Sequence, residues 1–240
     1  MPWARRRFMR STVAVAVAAP LSALQAWATG TRPSANPRLG RLTDTLPLNT
    51  ADLRVPGAYD LRDQPLLKLP PGFRYWAISC TGQAMSDGSL VPGGHDGMAC
   101  FPGRRGSMIL VRNHELGDRE AKYANDRGVA VPLRYKFDTY ANGGTTTLVL
   151  DQSGRLLRDF ASLGGTNSNC AGGPTPWGSW LTCEESTSLP NSSLSTYQQR
   201  HGYVFEVPAF ADKPTQAMPI LGMGRFNHEA TAIDPRTGIV

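Results

Sequence analysis

The sequence lacks the patterns that several common protein classes require. No basic run occurs after residue 28, so a nucleic-acid partner is not expected. There is no glycine-rich Walker phosphate loop, and Gly178-Ser179-Trp180 lacks the second glycine of a serine-hydrolase elbow. Nucleotide hydrolysis by a Walker loop and acyl transfer by a serine elbow are therefore without support.

Helical periodicity is also scarce. The only segment with a helical pattern is residues 119–127, which is short and charged. Glycine and proline supply 25 and 19 of the 240 residues, and they separate short runs of β-branched and aromatic residues. Such runs predict strands over residues 73–79, 107–112, 144–150, 155–163, 202–207 and 229–233. The sequence therefore predicts an all-β fold.

Residues 1–28 have the pattern of a cleaved export signal. A basic head over residues 5–10, RRRFMR, precedes an uncharged, alanine-rich stretch that ends in Ala26-Trp27-Ala28. The paired arginines favour the twin-arginine route, so we expect its export machinery as a partner and a periplasmic or secreted protein. The alternative is a membrane anchor, but about eighteen uncharged residues that include Pro20 are marginal for spanning a bilayer. No stable anchor is expected.

The rest of the chain is predicted to form an arm and a body. Residues 1–28 hold four arginines and no acidic residue, so the mature chain carries 21 basic against 19 acidic side chains. Residues 29–70 show little periodicity and predict an extended N-terminal arm, whereas residues 71–240 predict the strand-rich body. The sequence stops just as residues 232–240 open a further strand, which indicates the N-terminal portion of a longer protein.

Residues 169–185, NCAGGPTPWGSWLTCEE, form the most distinctive segment. Glycines and prolines over residues 172–176 predict turns, and alternating residues from 177 to 183 predict a strand. That strand would carry Cys183 and the two glutamates that follow it to an exposed end. Because a thiol beside two carboxylates is costly to bury without a cation, the pattern predicts a metal-binding strand end. Its tryptophans are interpreted as core residues rather than substrate platforms.

Two internal repeats indicate repeated sheets. Residues 149–151 and 232–234 each combine two apolar residues with an aspartate and precede a turn with glycine. The tripeptide Asn-His-Glu occurs at residues 113–115 and 227–229. Four-stranded units repeated around an axis form a β-propeller, whose strand ends face a shared channel. Glutamates at equivalent strand ends would then meet at one central site.

The predicted metal ligands are Glu115, Cys183, Glu184, Glu185 and Glu229. Calcium prefers carboxylate and carbonyl oxygens, whereas a thiolate favours iron or zinc, and a mixed site could hold both kinds. His114 and His228 are either ligands or, with Asn113 and Asn227, hydrogen-bonding residues that orient the glutamates. The alternative is that both tripeptides mark solvated strand ends.

The four cysteines leave two pairings open. Cys80 and Cys100 flank a turn-rich segment and could form a disulfide across neighbouring strands in an oxidising compartment. A local disulfide between Cys170 and Cys183 is the alternative to a metal-binding role for Cys183. Spacing alone does not establish the bridge geometry of either pair.

Together with RNHE at residues 112–115, GGTTTLVLD at 143–151 and GRFNHEA at 224–230, residues 169–185 resemble the PhoX-type alkaline phosphatases of exported bacterial proteins. The resemblance runs from Leu69 to the end of the chain. Members of that family are β-propellers in which a central cluster of iron and calcium hydrolyses phosphate monoesters. The likeness implies Cys183 as an iron ligand and shares the four predicted glutamates among iron and calcium. The cations would neutralise the phosphate oxygens and position an oxygen nucleophile for in-line attack, so no side chain is assigned as the nucleophile.

The chain departs from the family in length. The family's propeller is considerably longer, with further acidic ligands in blades after residue 240, and the Cys80–Cys100 pair is not part of its pattern. The resemblance thus implies the N-terminal portion of a phosphate-ester hydrolase, or a degenerate relative. Two other classes would use similar carboxylates: a calcium-dependent propeller lactonase, which needs no Cys183, and a non-enzymatic propeller stabilised by calcium. Replacing Cys183 by serine would separate the lactonase from an iron phosphatase.

Overall fold

The computed structural model describes residues 40–117, 128–190 and 196–240. The predicted signal, residues 1–28, and the predicted helix, residues 119–127, lie outside the described residues. Within the described ranges the regular structure is strands and three-residue 3-10 helices, so the predicted all-β class is confirmed. No helix in these ranges is long and apolar enough to cross a bilayer.

The strands are numbered in chain order. They are β1 (Thr43–Thr45), β2 (Arg54–Val55), β3 (Tyr59–Asp60), β4 (Leu67–Leu69), β5 (His95–Pro102), β6 (Met108–His114), β7 (Gly143–Leu150), β8 (Leu156–Thr166), β9 (Asn169–Pro174), β10 (Ser179–Glu184) and β11 (Val204–Pro208). The 3-10 helices span Thr50–Asp52, Arg104–Gly106, Leu133–Tyr135 and Leu221–Met223.

The chain divides into two compact units, the first of which comprises Met1–Thr50 and Asp63–Tyr75. In its described part, β1 and β4 pair as an antiparallel ribbon. The Tyr75 hydroxyl donates a hydrogen bond to Thr45 O (2.8 Å) and accepts one from Leu66 N (3.1 Å). This tyrosine therefore ties the ribbon together from outside the sheet.

The second unit comprises Ala51–Arg62 and Trp76–Val240. It contains the β2–β3 ribbon, a four-stranded sheet in the order β5-β6-β7-β8 and a three-stranded sheet in the order β11-β10-β9. All neighbours in these sheets are antiparallel, so each sheet is an up-and-down meander of consecutive strands. The predicted strands at residues 107–112, 144–150, 155–163, 177–183 and 202–207 are confirmed as β6, β7, β8, β10 and β11.

The largest core cluster joins the two meander sheets of the second unit. Buried apolar side chains of the four-stranded sheet, such as Val111 and Leu163, pack with Trp180, Phe205 and Val207 of the three-stranded sheet. Trp180 is 4% exposed, which confirms its predicted core role, whereas Trp177 is 58% exposed, so the core prediction is wrong for that residue. Packing both sheets on one core fixes β9 and β10 against β6, next to the side chains described below.

Two predicted strands are absent from the structure. Residues 73–79 form no strand. Tyr75 instead hydrogen-bonds within the first unit, through its hydroxyl and through its carbonyl oxygen, which accepts from Leu48 N. Residues 229–233 also form no strand. Their backbone meets the edge of β9 through hydrogen bonds from Ala171 N to Glu229 O and from Thr231 N to Gly172 O.

The turn predicted over residues 172–176 begins later than expected, because residues 169–174 form β9. A Cβ added at Gly172 would lie 1.8 Å from Leu181 O, so this glycine permits close pairing with β10 rather than a turn. The chain reverses after β9, where Gly178 N donates to Thr175 O and Gly178 has φ +90°. Neither β9 nor β5 is among the strands that the sequence predicts.

Candidate metal centre

One thiol and two carboxylates converge at the open ends of β9 and β10. Cys170 lies in β9, Glu185 directly follows β10, and Glu229 lies in the segment hydrogen-bonded to β9. Their ligand atoms all lie within 4.8 Å of one another. The Cys170 thiol donates a hydrogen bond of 3.2 Å to Glu229 Oε1. We call these three residues the Cys170 cluster.

A β-bulge sets the position of Cys170. Thr182 pairs with Gly172, and Glu184 pairs with Asn169. Cys170 and Ala171 therefore lie together opposite Cys183, the one residue between Thr182 and Glu184 on β10. Bulges of this kind redirect side chains at strand ends. The bulge places the Cys170 thiol beside a carboxylate of another segment.

Asn113 of β6 holds this bulge from the neighbouring sheet. Its amide nitrogen donates to Cys170 O (3.1 Å) and Ala171 O (2.8 Å). Its amide oxygen accepts from Trp180 Nε1 and Thr182 Oγ1, both at 2.8 Å. Because Asn113 is fully buried and uses both ends of its amide, it fixes the backbone that carries the thiol.

The electrostatics of the Cys170 cluster favour a cation. Burial, the hydrogen bond to Glu229 and the negative charges of Asp96, Glu229 and Glu185 raise the pKa of Cys170 to about 12. The negative charges disfavour the Cys170 thiolate. A bound cation would stabilise the thiolate instead and displace the thiol proton. One soft and two hard donors suit a transition metal or a mixed site, so the residues present fit a metal ion.

Glu184 does not join the cluster. It is fully buried, and its carboxylate accepts hydrogen bonds from Asn167 N, His201 Nδ1, Gly202 N and Tyr203 N at 2.7–3.1 Å. The strand turns Glu184 toward this set of donors, away from Glu185. The structure thus separates the two adjacent glutamates that the sequence had grouped.

Cys183 and Glu115 also lie outside the Cys170 cluster. The Cys183 side chain is fully buried in an apolar cluster with Leu181 and Val204. Burial, and secondarily the charge of Glu229, raise its pKa to about 12. Glu115 is half-buried just after β6, and its backbone N–H donates to Gly94 O. Of the five predicted ligands, the structure brings together Glu185 and Glu229.

The two Asn-His-Glu tripeptides occupy different environments. His114 is fully buried, with Nδ1 2.7 Å from Gly93 O and Nε2 2.9 Å from Thr146 Oγ1. Burial and the Arg112 charge lower its pKa well below the usual value, which favours the neutral imidazole. In the second copy Asn227 is exposed, whereas His228 is buried and stacks on Phe226 at 3.7 Å between ring centroids.

The structure contains neither of the disulfides considered from sequence, because all four cysteines are free thiols. Cys100 is exposed on β5, and half-buried Cys80 lies near Tyr59 and Arg112. Cys170 was considered only as a disulfide partner. The signal that could have identified it is its position beside Glu185, which becomes visible only when residues 169–174 are assigned as a strand paired with β10.

The fold and the site define an all-β protein with one thiol and two carboxylates gathered at strand ends. The family model for alkaline phosphatase PhoX matches residues 56–159 and 151–240. The chain therefore belongs to the alkaline phosphatase PhoX family, and the resemblance seen in the sequence is confirmed. Neither a search of curated proteins nor a search of solved structures found a match. The whole Cys170 cluster lies within the second matched segment.

Proposed function

We propose that this protein is a metal-dependent phosphomonoester hydrolase. The observation that carries the proposal is the position of the Cys170 cluster inside the segment matched by the phosphatase family model. Family membership supports phosphatase-type chemistry, and the cluster supplies donors that a metal ion can use. The substrate class would be a small phosphate ester.

In this proposal Cys170, Glu185 and Glu229 hold part of an iron and calcium site. When bound, these cations supply the positive charge that neutralises phosphate oxygens in the transition state. The protein's own contribution is to place one thiol and two carboxylates within 4.8 Å. Asn113 holds the bulge through two hydrogen bonds, so the backbone that carries the Cys170 thiol is already in place when an ion enters.

We further propose that the two meander sheets are blades of a β-propeller. The support is that the strands of each sheet follow one another in the chain and that both sheets pack on one core. Export by the twin-arginine route is proposed on the basic head and apolar stretch of residues 1–28.

The function is tested by hydrolysis of p-nitrophenyl phosphate with elemental analysis of the same sample. We expect turnover that is lost on chelation, with both iron and calcium bound. Glu185→Gln should lower kcat/KM at least about tenfold and reduce bound metal. Glu206→Gln is the matched control, because this β11 carboxylate accepts from Trp177 and Ser179 outside the cluster.

Three results would contradict the proposal or its ligand assignment. Bound calcium without iron, and no phosphate ester hydrolysis, would leave a lactonase or a structural calcium protein. Full activity of Cys170→Ser would exclude Cys170 as a ligand needed for turnover. Loss of activity in Cys183→Ser, with Cys170→Ser unaffected, would assign the thiolate ligand implied by the resemblance instead.

A further inference from the structure

The Glu184 carboxylate is the most densely hydrogen-bonded acidic group around the site. Oε1 accepts from Asn167 N (2.9 Å) and His201 Nδ1 (2.7 Å), and Oε2 accepts from Gly202 N (2.7 Å) and Tyr203 N (3.1 Å). Four donors occupy the lone-pair positions that a carboxylate offers. Glu184 is also 0% exposed, so a metal ion could bind it only by breaking buried hydrogen bonds.

A second buried carboxylate lies on the far side of His201. His201 Nε2 is 3.5 Å from Asp138 Oδ2, at ion-pair distance and without a hydrogen bond. Asp138 is itself anchored by backbone N–H groups of Tyr140, Gln198 and Gln199. All three side chains of this Glu184–His201–Asp138 network have 0% exposure.

Glu184 is bonded to every segment that supplies the Cys170 cluster. Its carbonyl oxygen accepts from His228 N (3.0 Å), next to Glu229. Its carboxylate holds Asn167 in the turn that leads into β9, three residues before Cys170. Its peptide precedes Glu185, whose N–H donates to Ser168 O (2.9 Å).

We propose that Glu184 is a positioning residue of the metal centre rather than one of its ligands, and that the Glu184–His201–Asp138 network fixes the spacing of Cys170, Glu185 and Glu229. This inference rests on the proposed metal site. Its physical basis is that Glu184 bonds through its carboxylate to Asn167, ahead of Cys170, and through its carbonyl oxygen to His228, next to Glu229. Disturbing the carboxylate shifts the strand end that carries these bonds and Glu185, which lets the donors move apart.

The amide of Glu184→Gln cannot satisfy this environment in either orientation. An NH2 group in place of Oε1 faces Asn167 N–H, and in place of Oε2 it faces the N–H groups of Gly202 and Tyr203. Asp138→Asn disturbs the same network from its other end, two side chains away from the cluster. Both variants should therefore loosen the donors while leaving every proposed ligand in the chain.

The test is a titration of chelator-stripped protein with iron(II) and calcium, with bound ions per chain measured for each variant. We expect Glu184→Gln and Asp138→Asn to keep the wild-type number of bound ions with affinity weakened roughly 10–100-fold. Activity, where the wild type has any, should return at raised metal concentration. Glu185→Gln should instead lose bound metal that excess ions do not restore, and Glu206→Gln should match the wild type.

Three outcomes would overturn the inference. Loss of an ion from Glu184→Gln at saturation would make Glu184 a ligand. A lower Tm with unchanged metal affinity would make the network purely structural. If Glu184→Gln does not fold, Asp138→Asn decides by the same criteria, and a wild type that binds no metal refutes the inference directly. A wild type that binds metal without hydrolysing phosphate esters contradicts only the proposed function.

Discussion

Replacement of Asn113 should be among the most destabilising single changes in the second unit. Its side chain is fully buried and makes four hydrogen bonds, two to β9 carbonyls and two from β10 side chains. Asn113→Ala removes all four and leaves Trp180 Nε1 and Ala171 O without these partners. A buried group left unpaired costs about 1–3 kcal/mol, so the change should cost about 3–5 kcal/mol in total.

The repeated tripeptide offers an internal control for this prediction. Asn227 occupies the same place in the second Asn-His-Glu sequence but is exposed, so Asn227→Ala should change the free energy of unfolding by about 0.5 kcal/mol or less. Asn113→Asp keeps the shape but turns an oxygen toward Cys170 O and Ala171 O. It should destabilise the protein at least as much as alanine does.

The assay is urea unfolding of metal-free protein followed by tryptophan fluorescence, since bound metal would add its own stabilisation. In thermal unfolding, a loss of about 3–5 kcal/mol should lower Tm by roughly 10 °C for a chain of this size. Equal, small effects of Asn113→Ala and Asn227→Ala would refute the reasoning, because they would show that the buried amide contributes no more than an exposed one.

Three further predictions test the strand pairing, the His95 imidazole and the thiols. Gly172→Ala should lower the free energy of unfolding by about 3 kcal/mol, because its Cβ would meet Leu181 O at 1.8 Å, whereas Gly222→Ala, with nothing within 4 Å, should be tolerated in the same urea assay. Partial desolvation and the Arg112 charge lower the pKa of His95 from 6.5 to about 4, so the unfolded chain binds more protons between these values. Stability should therefore fall as the pH is lowered from 6.5 toward 4, and His95→Gln should flatten this fall in urea midpoints measured against pH. In metal-free protein, alkylation followed by mass spectrometry should modify exposed Cys100 first and buried Cys183 last; rapid modification of Cys183 would contradict its packing.

The strands that the sequence predicts correctly are those with their own local signal. The run of β-branched and aliphatic residues in β7 and the alternation in β10 need no knowledge of their neighbours. Strand β9 has no such signal. Its Gly172 is explained by the close approach of Leu181 O on β10, which the sequence does not show. A glycine at a close backbone contact and a glycine in a turn look the same in a sequence.

The aspartate turns show where a local repeat predicts structure well. Asp151 accepts hydrogen bonds from Ser153 Oγ, Ser153 N and Arg155 N, and Asp234 accepts from Arg236 N. These bonds lower the pKa of both aspartates. The repeated motif needs only residues within four positions of the aspartate, so its structure follows from the sequence. The Asn-His-Glu repeat does not behave this way, because Asn113 and His114 of the first copy bond to distant segments that the second copy does not share.

The adjacent glutamates mark the limit of sequence reasoning at the site. Successive side chains along a strand point to opposite faces, so Glu184 and Glu185 must lie in different surroundings. Which of them faces the cluster depends on donors supplied about twenty residues further along the chain, at Gly202 and Tyr203. In our proposal, the carboxylate whose lone pairs are filled by protein donors holds the site in place, and the carboxylate left exposed beside a thiol is the one that binds an ion. The two roles are therefore set by hydrogen-bond partners, and residue type alone does not distinguish them.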